Sequence, residues 1–196
     1  MADLFHLADR LAEEQALSHE EYVALIDGRT PEITAYLAEL AVARRRTVYG
    51  NAVYIRGLIE VSNICKNDCL YCGIRAGNAA CDRYRLAYED ILAACDEGYG
   101  LGFRTFVLQG GEDGHFTDDR LTALLQAIKS AHPDCAVTLS LGERTRESYE
   151  KLYAAGADRY LLRHETATKA HYQRLHPDNL SFDNRMRCLY DLRKIV

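Results

Sequence analysis

From residue 52 onward the chain alternates between short apolar runs and amphipathic stripes, and this alternation limits the possible folds more than any other feature. Residues 53–61 form a β-branched and apolar run, which predicts a strand. Residues 88–100 carry Ile91, Leu92, Cys95 and Tyr99 at helical spacing. The run 103–108 predicts a second strand, ended by Gly110 and Gly111. After Asp118, Leu121, Leu124, Leu125 and Ile128 make an i, i+3, i+4, i+7 stripe. Residues 136–140 predict a third strand, 146–155 a helix closed by Gly156, and 159–163 a fourth strand. A helix near 168–175 breaks before Pro177, and another begins near Ser181. Four strand–helix units in succession predict an α/β fold with a parallel sheet and right-handed crossovers. In such sheets the residues that do chemistry gather at the C-terminal ends of the strands.

The first fifty residues carry no strand pattern. Leu4, Leu7, Ala8 and Leu11 follow helical spacing, and Ser18 with Glu21 has the form of a capping box. Asp27-Gly28 reads as a stop, and Thr30-Pro31 starts a longer helix with proline at its first position. The expected organisation is a helical extension over 1–50 followed by an α/β unit over 51–196. A full (β/α)8 barrel takes ~250 residues, more than remain after the helical extension. The expectation is therefore a (β/α)4 half barrel, truncated at its C-terminus, with the first and fourth strands as unpaired edges. Residues 189–196 continue an apolar helical stripe without a cap, which agrees with an N-terminal fragment.

With 48% hydrophobic residues the chain can supply a core. Its net charge of −5 gives no electrostatic reason to expect nucleic acid, and Arg44-Arg45-Arg46 reads as a solvated helix face. No apolar run approaches the ~20 residues that span a bilayer, and the N-terminal residues lack an apolar leader core. The expected location is the cytoplasm, without a membrane partner.

Between the first strand and the next helix stand Cys65, Cys69 and Cys72, spaced C-x3-C-x2-C. Three thiolates so close in one loop can grip three irons of a cubane iron–sulfur cluster and leave the fourth open to chemistry. Closed electron-transfer clusters take four cysteines, and closed structural zinc sites take four ligands. The alternative is a zinc loop completed by Cys81, although zinc loops usually pair their ligands across a longer spacer, and no second C-x2-C or H-x3-H is present. A disulfide framework fits poorly, because the seven cysteines are an odd number and cytosolic thiols stay reduced. Cys95 and Cys188 stand at apolar helix positions, where a free cysteine behaves as a small hydrophobe.

The cysteine spacing, with Tyr71 before the last cysteine, resembles the signature of the radical S-adenosylmethionine (SAM) superfamily. Five further segments narrow the resemblance: Tyr54-Ile-Arg-Gly-Leu-Ile-Glu60, Arg83-Tyr-Arg-Leu86, Leu108-Gln-Gly-Gly-Glu-Asp113, Thr138-Leu-Ser-Leu-Gly-Glu143 and Tyr160-Leu-Leu-Arg-His-Glu-Thr166. In that order they are similar to the HydE family of [FeFe]-hydrogenase maturases. The resemblance covers the chain from about residue 50 onward. It implies a TIM-barrel-type enzyme with a [4Fe-4S] cluster and SAM, which cleaves SAM to a 5′-deoxyadenosyl radical during maturation of the hydrogenase di-iron site. It also implies a small-molecule or iron-complex substrate, an electron donor, and other maturases as partners, including the scaffold GTPase.

Residue by residue, the resemblance assigns Cys65, Cys69 and Cys72 to the cluster. Tyr71 would shield it and meet the adenine of SAM through its backbone. Gly110, Gly111 and Glu112 would receive the SAM amino group, for which the glycines permit close backbone approach. Ser140 would hydrogen-bond SAM, Glu165 would bind its ribose and Arg185 its carboxylate, to which a guanidinium fork is suited. Gln109, Thr138 and Arg163 would line the substrate pocket, and Arg56 is a further candidate there. Arg163 and Glu165, two apart at a strand end, are expected to share a face, with a mutual ion pair as the plainer alternative. His164 reads as structural. Rival readings are a methylornithine synthase-like or biotin synthase-like radical SAM enzyme, and a non-catalytic iron–sulfur or zinc-binding fragment.

Overall fold

The computed structural model describes residues 3–166 and 168–195, so Val196, the last residue of the predicted apolar stripe, lies outside the described residues. The chain divides into two compact units, Met1–Tyr54 and Ile55–Val196.

The first unit contains α1 (Leu4–Glu14), α2 (His19–Asp27) and α3 (Pro31–Tyr49). Each helix begins where a side chain can satisfy the free amides of a first turn. Asp3 accepts from Phe5 N and His6 N, Ser18 and Glu21 form the reciprocal box, and Thr30 accepts from Ile33 N ahead of Pro31. Leu7, Leu25 and Ile33, one from each helix, meet in a small core.

The second unit runs β1 (Gly57–Ser62), α4 (Tyr88–Gly100), β2 (Thr105–Gly110), α5 (Asp118–Ala131), β3 (Ala136–Ser140), α6 (Arg146–Ala154), β4 (Arg159–Tyr160), α7 (Lys169–Leu175) and α8 (Phe182–Ile195). The four strands are parallel in the order β1-β2-β3-β4, which is the predicted α/β architecture. Because strand side chains alternate between faces, Ile59, Val61, Phe106, Leu108, Val137 and Leu139 all enter one core with Ile91, Leu125 and Ile128 of the helices. Glu60 and Gln109, register partners on β1 and β2, stand on the opposite face. No helix among the described residues is long and apolar enough to cross a membrane.

Two strand boundaries depart from expectation. Residues 53–56 have strand-like composition, yet β1 starts only at Gly57, the first residue with a register partner on β2 (Phe106). Without a pairing strand, Val53, Tyr54 and Ile55 stay exposed. The fourth strand is two residues long, because only Arg159 and Tyr160 find partners on β3. The chain then leaves the sheet, and Glu165 takes a left-handed backbone with φ of 61°. The shared strand face expected for Arg163 and Glu165 therefore does not exist.

A cysteine-lined cleft at the strand ends

The bend that ends β4 does not scatter the predicted residues. Cys65, Cys69, Cys72 and Tyr71 line one open cleft with Gln109, Gly110, Gly111 and Glu112 from the end of β2. Ser140 borders it from β3, Arg163 and Glu165 from the segment after β4, and Arg185 from α8. Thr138 does not join them. One alternation deeper on β3, it is buried, and its hydroxyl has no hydrogen-bond partner among the described residues. Cys81 also stays out of the cleft, its sulfur 3.6 Å from Asn63 Nδ2. Arg56 is exposed and precedes β1.

The cysteine loop is pressed against the end of β2. Lys66 N donates to Glu112 O at 3.1 Å, and Glu112 N donates to Cys65 Sγ at 3.3 Å. A Cβ on Gly111 would overlap the Ile64 carbonyl oxygen, and one on Gly110 would stand 2.8 Å from Ser62 O. The two glycines thus admit the protein's own loop to the strand end, where the sequence suggested approach by a ligand. Burial pushes the Cys69 thiol up, the Tyr71 hydroxyl beside it opposes this, Cys65 and Cys72 reinforce it, and Arg185 opposes it. Among the described residues, no three of His, Cys, Asp and Glu converge on the spacing that a single ion requires.

Opposite the loop, the polar groups form a connected set. Glu112 takes the amide of Glu143 on Oε1 at 3.0 Å and the Lys66 ammonium on Oε2 at 3.2 Å. Arg185 is buried, which excludes an ordinary surface arginine at a helix start. Its Nε donates to Glu143 Oε1 at 2.6 Å, and its Nη1 donates to the Arg163 carbonyl. Asn184 Nδ2 donates to the other Glu143 oxygen at 2.5 Å. Among the described residues, no hydrogen bond occupies Arg185 Nη2. Across the sheet, Gln109 donates to Glu60 Oε1 at 2.7 Å and accepts from Arg163 at 3.4 Å. Arg163 therefore engages Gln109, not Glu165. The His164 ring meets the nearby Thr166 carbonyl through Nδ1 at 2.9 Å.

Sequence reasoning gave no role to three residues at the cleft. Glu143, three residues past β3 and next to the left-handed Gly142, fixes Arg185. Glu60 fixes Gln109. His176, the residue before Pro177, holds Tyr71: its Nδ1 donates to the Tyr172 carbonyl at 2.9 Å, and its Nε2 lies in hydrogen-bond contact with the Tyr71 hydroxyl at 3.2 Å. A carboxylate just past a strand end was the available signal for Glu143. His176 carried none.

Residues 59–196 match the radical SAM superfamily. The chain is 46% identical over 159 residues to the [FeFe] hydrogenase maturase subunit HydE of Thermotoga maritima, covering 81% of this chain and 45% of that protein. It is 29% identical to 3-methylornithine synthase of Methanosarcina acetivorans, covering 88% of this chain and 49% of that one. Biotin synthase of Staphylococcus haemolyticus is 28% identical, over 93% of this chain and 57% of that protein. The chain thus spans about half the length of the curated relatives it matches. Among solved structures, methylornithine synthase (PylB) superposes with a TM-score of 0.85 at 27% identity, over 96% of this chain and 56% of that one. The [FeFe]-hydrogenase maturase HydG superposes equally well at 22% identity, covering 98% and 44%, which speaks for the fold alone. The four-stranded sheet is accordingly a partial barrel of this type. Sequence match, barrel topology and cysteine loop agree: the chain belongs to the radical SAM superfamily, whose enzymes work with a [4Fe-4S] cluster and S-adenosylmethionine.

Proposed function

We propose that this chain is the cluster-bearing part of a radical SAM enzyme that acts in maturation of the [FeFe]-hydrogenase di-iron site. The observation that carries the reading is three free thiols in one cleft with Glu112 and Arg185, in a chain 46% identical to HydE over 81% of its length. The donor set suits the cofactors. Three soft sulfur ligands without a fourth in the cleft match a cubane with one open iron, and a carboxylate beside a guanidinium matches the amino-acid end of SAM. When bound, the cluster supplies the electron that splits the sulfonium bond of SAM and yields a 5′-deoxyadenosyl radical.

The chain's own residues bind, orient and shield. Cys65, Cys69 and Cys72 hold the cluster, with Tyr71 covering it. Glu112 receives the SAM ammonium and the free Nη2 of Arg185 its carboxylate. Gly110, Gly111 and Ser140 border SAM, and Glu165 takes its ribose. Gln109 and Arg163 face a small-molecule or iron-complex substrate, with Thr138 buried one alternation deeper on β3. The sheet is the first half of a barrel, preceded by the helical unit. The protein works in the cytoplasm with an electron donor and the other maturases, the scaffold GTPase among them.

Anaerobic reconstitution followed by EPR with and without SAM tests the core of this reading. A cluster signal altered by SAM, with 5′-deoxyadenosine released on reduction, is the expected result. Zinc without iron, or a signal indifferent to SAM, would leave the rival of a non-catalytic metal-binding fragment. The similarity to 3-methylornithine and biotin synthases keeps those chemistries as a second reading, which mass spectrometry of products would separate.

A further inference from the structure

Between the end of β1 and α4 the chain forms a long loop without regular structure that carries all three cleft thiols. Its neck is closed by an antiparallel bridge between Ser62 and Arg85. Asn63 reinforces the neck, donating from Nδ2 to Asp82 O at 2.7 Å and accepting Tyr84 N on Oδ1 at 2.7 Å. Inside the neck, one guanidinium gathers the loop. Arg83 Nη1 donates to Asn63 O at 2.7 Å and Ile74 O at 2.8 Å, and its Nη2 donates to Arg75 O at 2.7 Å and Asn78 O at 3.2 Å. All four N–H bonds of its two terminal nitrogens are thereby spent on main-chain carbonyls on both sides of the cysteines. A loop without strands or helices must still pair its carbonyls, and a planar fork with fixed donors can do this for several at once.

We propose that Arg83 is a positioning residue that holds the cysteine loop in its cluster-receiving shape before any metal binds. Small zinc-folded loops leave this task to the ion, so that binding and folding are one event. Here the guanidinium of Arg83, on the exposed side of the loop, ties together carbonyls that flank the cysteines, so the loop's shape does not depend on a metal held by the three thiols. Cluster assembly is then capture by a site already formed. The inference rests on the reading of this loop as the cluster cradle, but its first test is made on metal-free protein and is independent of catalysis.

The test is hydrogen–deuterium exchange on the metal-free full chain, comparing wild type with Arg83→Lys and Arg83→Gln, followed by anaerobic reconstitution and iron analysis. Lysine keeps the charge but lacks the fork. In both variants amides across 64–81 should exchange about tenfold faster or more, those of β2 and β3 should be unchanged, and retained iron should fall severalfold. Unchanged exchange in the loop would overturn the proposal. So would acceleration spread equally through β2 and β3, which would make Arg83 a general support of the fold. A loosened loop that still retains wild-type iron would overturn the link to cluster capture. A cluster that assembles normally in wild type but does not respond to SAM would instead sink the enzymatic reading and leave the exchange result intact.

Discussion

Arg185 Nε donates to Glu143 Oε1 at 2.6 Å, with only 9% and 14% of the two side chains exposed. This pair ties α8 to the loop after β3 and aims the remaining nitrogen of the guanidinium. Removing one partner of a buried pair leaves the other charge uncompensated, at a cost of about 3–5 kcal/mol. Glu143→Ala should lower the melting temperature by many degrees. Glu143→Gln, which keeps a hydrogen-bond acceptor, should cost less while still weakening SAM binding in calorimetric titration of the reconstituted protein.

Asp113 gives a pH dependence. Burial alone would raise its carboxyl, but the Arg85 guanidinium, the His115 amide and the Ser62 hydroxyl outweigh that and hold it down to about 2, against an ordinary 3.8. A carboxyl lowered on folding stabilises above its unfolded pKa, and the contribution is lost as pH falls through the folded value. Arg85 is one-third exposed, so after allowance for solvent screening the contribution is about 1–2 kcal/mol. Urea melts should show wild type more stable than Asp113→Asn at pH 7, with the gap closing between about pH 4 and pH 2.

Gly142 adopts φ of 79°, and a Cβ there would fall inside the Glu112 side chain. Gly142→Ala should displace Glu112 and destabilise the chain by more than the ~1 kcal/mol typical of a left-handed residue alone. Gly111→Ala should act on the other side of the cleft by forcing Ile64 and Cys65 off the strand end. Its expected signature is a loss of retained iron out of proportion to the change in melting temperature.

Cysteine substitutions separate the cradle from its neighbour. Cys65→Ala, Cys69→Ala and Cys72→Ala should each abolish stable cluster retention in anaerobic reconstitution. Cys81→Ala, outside the cleft, should retain iron and the SAM-dependent EPR change. Loss of both in Cys81→Ala would revive the four-ligand alternative.

Much of the fold was legible because each strand of the core carries its own apolar period and each helix its own stripe or cap. Thr30-Pro31 and Ser18 with Glu21 are local signals, and local geometry obeyed them. Strand ends are not local. Val53-Tyr54-Ile55 has strand composition but no partner, and β4 stops where its pairing stops, since strand preference expresses context more than backbone bias. The cleft residues were legible for a related reason: topology brings the ends of parallel strands together regardless of how each end bends. Glu165 reaches the cleft through a left-handed turn that no period predicts. The Arg83 clamp and the Tyr71–His176 contact were hidden because each depends on where a closed loop places its carbonyls or its ring.

The outer wall of the cysteine loop is supplied from far downstream. Leu70 N donates to Leu175 O at 2.9 Å, and Tyr71 meets His176 across 105 residues of sequence. Contacts of such separation are late to form, and a chain growing from its N-terminus exposes its three thiols well before α7 exists. During synthesis these sulfurs pass through an interval in which Arg83 can already order them while nothing yet covers them. Oxidants and stray metals have their best access in that interval, and so does any machinery that delivers iron to the nascent protein.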